Sequence, residues 1–245
     1  MPTINSPQII SKNTAVQFLD ANVKPVMFWD TCSLLDIIRL PIPERRQSLH
    51  RLEKVMAIRQ KIVSEDIISI ASLLTVKEFN DHIINTRGEV IRSAQRITND
   101  FNNFLRFVQK VNPAITHPSV NLNSFYLEDL LGDIVQDIAF FTKFIDRDDS
   151  FLRSAEHRVI MKIPPAKKKG EFKDCYIWST CLEVRQSSVK AGVPFGFFSS
   201  NVKDYSELPK INFDPQIAVE ATAANIEYYP NIDIAFGRLK ASGVL

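Results

Sequence analysis

The 245-residue chain has only seven glycines, and none stands in a G-x-x-x-x-G-K-[ST] or G-x-G-x-x-G arrangement. Loops that cradle a di- or triphosphate need glycine at those positions, so a P-loop NTPase and a Rossmann dehydrogenase are both disfavoured. Cysteine is scarce too: Cys32, Cys175 and Cys181 are an odd set without framework spacing, which argues against a disulfide scaffold and for a reducing compartment. Cys175 and Cys181 fall about 120° apart around a helix, poor geometry for a shared zinc. The four histidines show no metal-ligand spacing either. Charge of one sign is also missing, since 30 basic and 28 acidic side chains leave a formal charge of +2, and a nucleic-acid partner would have to meet a local patch. No run approaches the ~20 apolar residues that cross a bilayer, and the opening MPTINSPQIISKN lacks a basic segment followed by an apolar one. These absences lead to the expectation of a cytoplasmic protein with no membrane partner.

What is present suits one ordinary α/β domain, with 45% hydrophobic and 24% charged residues. PVMFWD, residues 25–30, is a short bulky run ending in an acid and reads as a buried strand, with TCSLLDIIRL after it as a helix ended by Pro41 and Pro43. Residues 44–63 carry an amphipathic helical stripe, and IISIA, 67–71, reads as a second buried strand. A helical block follows at about 79–162, its first long pattern open to a break near Gly88, and the loop IPPAKKKG closes it. A helix over 172–190, a strand at PFGFF and a turn-rich SSNVKDYSE complete the assigned part. The C-terminal INF, IEYY and IDIAFGRL segments carry no firm pattern. Strands separated by helices imply a mainly parallel central sheet flanked by helices, whose ligands bind beyond the carboxyl ends of the strands.

That edge is where four acids can meet. Asp30 ends the first strand, Asp204 lies just past PFGFF, and Glu78 and Asp174 each stand near a helix start. Clustered carboxylates repel unless cations neutralise them, and hard oxygen ligands suit Mg²⁺ or Mn²⁺. Each acid also has a purely structural reading: Asp30 as an N-cap, Thr75 and Glu78 as a capping box, Asp174 against a helix dipole, and Asp204 in a turn begun by Asn201.

The order of these segments resembles the PIN-domain family. PVMFWDTCSLLDI is similar to its opening strand, aspartate and Thr/Ser; SLLTVKEF resembles its helix-borne glutamate; EFKDCYIW resembles its aspartate entering an apolar helix; and FFSSNVKDY resembles its final strand, Ser/Thr, Asn and aspartate. The resemblance covers about 24–80 and 165–206, is closest to a larger bacterial subgroup with extra helices between the second and third acids, and departs from the pattern at Cys32, Tyr205 and the insertion itself. It implies a single PIN-like domain with the block at 79–162 as a helical insertion. The implied activity is a divalent-metal-dependent endoribonuclease, with Asp30, Glu78, Asp174 and Asp204 as catalytic metal ligands around Mg²⁺ or Mn²⁺. Thr31, Ser33, Ser200 and Asn201 are then candidates for orienting a carboxylate or water. Lys167, Lys168, Lys169, Lys173 and Lys203 are candidates for phosphate contacts. Phe172, Tyr176 and Trp178 read as core aromatics or as stacking surfaces for bases. A toxin role with an antitoxin over the site, another protein partner, and a homodimer through the helical block are further expectations. The alternatives are a non-catalytic scaffold that binds RNA or protein, and a structure-specific DNA nuclease.

Overall fold

The computed structural model describes residues 3–43, 49–167, 171–189, 192–207 and 212–245. Its centre is a six-stranded sheet: β1 (Gln8–Ile10), β2 (Val26–Trp29), β3 (Ile68–Ser72), β4 (Lys143–Ile145), β5 (Phe195–Phe198) and β6 (Glu227–Tyr229), in the spatial order β1-β4-β3-β2-β5-β6. Every pairing is parallel. The helices are α1 (Lys12–Ala21), α2 (Thr31–Ile38), α3 (Leu49–Val63), α4 (Leu73–Val111), α5 (Leu127–Phe141), α6 (Asp149–Met161), α7 (Phe172–Ser187), the short α8 (Val202–Tyr205), α9 (Pro215–Ala224) and α10 (Ile232–Ala241).

Strand β2 is buried on both faces, and its alternating side chains separate two cores. Met27 and Trp29 join the layer built with α2, α3, α4, α5 and α10, whereas Val26 and Phe28 join the layer built with α1, α6, α7 and α9. The result is helix, sheet, helix. From β2 the chain steps outward through β3 to β4, then returns to place β5 on the other side of β2. The β2/β5 junction is therefore a topological switch point, where a crevice opens beyond the strand ends. A buried polar thread ties the neighbouring strands: Trp29 Nε1 donates to Ser69 Oγ at 2.9 Å, and the hydroxyls of Ser69 and Thr142 lie 2.6 Å apart.

The structure differs from the sequence reading in three places. The block at 79–162 is not purely helical, because β4 lies inside it and pairs with both β1 and β3. Three residues are too few to carry a strand period, and KFI follows directly on the helical pattern of α5. Helix α4 runs unbroken through Gly88, with Ile83 and Val90 buried on either side; that packing outweighs the ~1 kcal/mol a mid-helix glycine costs. The C-terminal segments form α9, β6 and α10, and β1 with α1 precedes the first expected strand.

The distal half of α4 projects as an arm. The returning segment covers one side of it, with Asn102 bonded to both backbone groups of Val120 and Thr98 Oγ1 accepting from the Leu122 amide. The other side leaves Phe101, Phe104, Phe107 and Val111 exposed. Among the described residues, no helix is long and apolar enough to cross a membrane.

Candidate active site

The first acid is fixed by its strand. Asp30 follows β2 directly, and its amide continues the ladder by donating to the Phe198 carbonyl at 2.9 Å. Its side chain is 3% exposed. Oδ1 accepts from the Thr31 amide at 2.7 Å, which makes Asp30 the N-cap of α2. Oδ2 accepts from Ser199 Oγ at 2.5 Å and from Cys32 Sγ at 3.0 Å. The structural reading of Asp30 is thus correct and compatible with a place in a site. Burial pushes its pKa up to about 6, against the lowering effect of the Cys32 and Ser199 bonds, with Glu78 adding repulsion. The Cys32 thiol is itself driven well above its ordinary value, by burial first and by Asp30 second, so it serves as a donor and not as a thiolate.

Glu78 reaches the same place from α4. That helix is capped by Ser72, whose hydroxyl accepts from the Leu74 amide at 3.3 Å, and Thr75 Oγ1 is buried without a partner. The capping-box reading of Thr75 and Glu78 therefore fails. The Glu78 carboxylate instead accepts from Thr31 Oγ1 at 2.8 Å and lies 3.4 Å from Lys173 Nζ.

Asp174 sits in the first turn of α7, where its Oδ2 is 3.4 Å from the Asn201 amide nitrogen and its carbonyl accepts from the Tyr205 hydroxyl at 3.0 Å. Burial, then the charges of Asp30, Asp204 and Glu78, push its pKa up to about 8. A carboxyl so displaced, held in a cleft by named charged neighbours, marks a candidate functional site.

Asp30, Glu78 and Asp174 line one open cleft of ≈ 380 Å³, together with Thr31, Ser200, Asn201 and Lys203. Asp204 is not among its lining residues; it stands on α8 and acts on Asp174 through charge. Ser33 also lies outside the cleft, its hydroxyl spent on the Phe198 carbonyl at 3.0 Å and the Ser200 amide at 3.2 Å. Of the lysines, Lys203 lines the cleft, Lys173 is paired with Glu78, and Lys167 lies 3.5 Å from Asp214, away from it. Lys168 and Lys169 fall outside the described residues. Among the described residues, no three His, Cys, Asp or Glu side chains are already gathered into a metal-binding group.

Four contributors were absent from the sequence reading. Ser199 is one of the three donors that hold the Asp30 carboxylate, and Asp36, Arg39 and His82 also line the cleft. Arg39 is engaged by Glu89 at 2.8 Å and Asp36 at 3.5 Å. Ser199 had a readable signal, as the first polar residue after the PFGFF run, in register beyond the Trp29 to Phe198 pair. Of the aromatics, Trp178 and Tyr176 are core, whereas Phe172 is 38% exposed.

No family model, curated protein or solved structure matches this chain.

Proposed function

We propose that this protein is a divalent-metal-dependent endoribonuclease of PIN-like fold that hydrolyses RNA phosphodiester bonds in the cleft at the β2/β5 junction. One observation carries the reading: Asp30, Glu78 and Asp174, from three distant segments, line a single cleft beyond the carboxyl ends of parallel strands. The segment order that resembles PIN domains and the parallel sheet support the same conclusion. The donors are carboxylate and amide oxygens and hydroxyls, a hard set suited to Mg²⁺ or Mn²⁺, and a cation would offset the acidic charges that add to burial in raising Asp174. Asp30, Glu78 and Asp174 would hold it. Bound there, such an ion would supply positive charge for a phosphate and lower the pKa of water.

The chain's own part is positioning. Three donors lock Asp30, Thr31 aims Glu78, and Asn201 restrains Asp174. Asp204 acts at one remove, its charge adding to burial and to Asp30 in raising the proton affinity of Asp174. Lys203 at the cleft and Lys173 beside Glu78 supply positive charge for a phosphate backbone.

The test is incubation of purified protein with single-stranded RNA and single-stranded DNA, in Mn²⁺ or in EDTA, beside Asp174→Asn. RNA cleavage that needs Mn²⁺ and disappears in the variant supports the proposal. Cleavage of DNA alone replaces it with a DNA nuclease, and failure to cut either polymer replaces it with a scaffold.

A further inference from the structure

A second cleft differs from the first in chemistry. It opens between the starts of α4, α6 and α7, with a volume of ≈ 440 Å³. Its floor is apolar, formed by Leu73, Val76, Leu152 and the ring of Tyr176. Phe172 stands at its wall, 38% exposed, its ring centroid 6.2 Å from that of Tyr176 and inclined 34° to it. Tyr176 is braced from below by Phe151 at 6.0 Å, edge to face. The aromatic wall is therefore rigid on one side and open on the other.

The charged residues lining this cleft are Lys77 and Arg147. Both are exposed, and among the described residues neither is ion-paired. Unpaired cations flanking a bare aromatic ring are the pairing that single-stranded nucleic acid asks for, with rings to stack on base faces and positive charge to follow the backbone. An apolar peptide would have no use for the two cations.

The two clefts draw on the same two helices. Lys77 precedes Glu78 on α4, Phe172 stands two residues before Asp174 on α7, and Lys173, between them, is paired with Glu78.

We propose that this groove is a nucleobase subsite: a base of single-stranded nucleic acid stacks on Phe172 while Lys77 and Arg147 contact the flanking phosphates. The proposal rests on the nuclease reading for its substrate, and it adds the element that fixes where along the strand the acids sit. Stacking is tolerant of base identity, so the subsite anchors without reading sequence.

The experiment is fluorescence anisotropy with a short fluorescein-labelled uridine oligonucleotide in EDTA, where nothing is cut. Wild type, Phe172→Ala, Phe172→Tyr and Lys77→Ala/Arg147→Ala are titrated at several salt concentrations. Phe172 is partly exposed, so its replacement leaves the core intact. The expected result is binding weakened about tenfold or more in Phe172→Ala, retention in Phe172→Tyr, and a salt slope reduced by about 1.4 in the double variant. Equal binding by all four proteins overturns the subsite and leaves the nuclease reading standing if Mn²⁺-dependent cleavage persists. Absence of oligonucleotide binding by wild type also overturns it. Phe172-dependent binding without any cleavage keeps the subsite and removes the nuclease reading.

Discussion

The hydroxyl of Thr31, at the start of α2, donates to the carboxylate of Glu78, in the second turn of α4, at 2.8 Å. With Lys173 Nζ 3.4 Å from the other oxygen, this hydrogen bond sets the direction of an acid whose own helix does not restrain it. Thr31→Val keeps the branched shape and removes the donor. RNA cleavage is expected to fall about 10- to 100-fold, as when a supporting partner of a ligand is lost, with Thr31→Ser close to wild type. Equal cleavage rates for Thr31→Val and wild type would show that Glu78 needs no such support.

Proton binding at Asp30 and Asp174 sets a pH dependence of stability. Both pKa values are raised in the folded protein, from 3.8 to about 6 and about 8. The native state therefore holds more protons than the unfolded chain across that interval, and metal-free stability is lost as pH rises from near 3.8, levelling off above about 8. Asp174→Asn should flatten the upper part of this decline and raise the melting temperature at pH 8 by a few degrees, about 2–4 °C for each kcal/mol in a chain of this size. Mn²⁺ should stabilise wild type at pH 8 by about 2.7 kcal/mol at a concentration a hundredfold above Kd, and have little effect on Asp30→Asn or Asp174→Asn. Thermal melts with and without EDTA check both statements.

Gly196, in the middle of β5, lies beneath the buried ring of Tyr229 from β6. A Cβ there would come 1.8 Å from Tyr229 Cε2. Gly196→Ala is expected to destabilise the protein by about 1–3 kcal/mol through overpacking. Adding Tyr229→Ala should make the glycine substitution nearly neutral. Denaturant unfolding of the two single variants and the double variant measures this, and simple additivity would contradict the contact.

The arm of α4 exposes Phe101, Phe104 and Phe107 by 46%, 62% and 68%. At about 200 Å² per aromatic side chain, that is roughly 350 Å² of aromatic surface per protomer. Two copies contribute more than half of the ~1,200 Å² at which stable interfaces begin, before the flanking residues are counted. A homodimer through this face is expected, with light scattering giving twice 27.9 kDa. Phe104→Glu with Phe107→Glu should restore the monomer, and a wild-type monomer at high micromolar concentration would refute the interface.

The central strands were legible because burial on both faces leaves little room for polar residues: PVMFWD, IISIA and PFGFF became β2, β3 and β5 with small shifts of boundary. Edge strands β1 and β6 and the inner β4 were not legible, since three residues cannot display alternation. Asp30, Glu78 and Asp174 were readable as acids beside strand ends or helix starts. What the order of residues could not convey was direction. Asp204 has the same local setting as the others yet lies outside the cleft, while Ser199 looked like loop and proved to hold Asp30. Both outcomes depend on how α8 leaves β5, which no periodicity records.

Strand β4 gives the intervening segment a status of its own. Excising residues 79–162 would remove the rung that joins β1 to β3, and the sheet would come apart into a fragment and an orphaned edge. The stretch that returns through Lys143–Ile145 is architecture, and any smaller version of this protein must keep it.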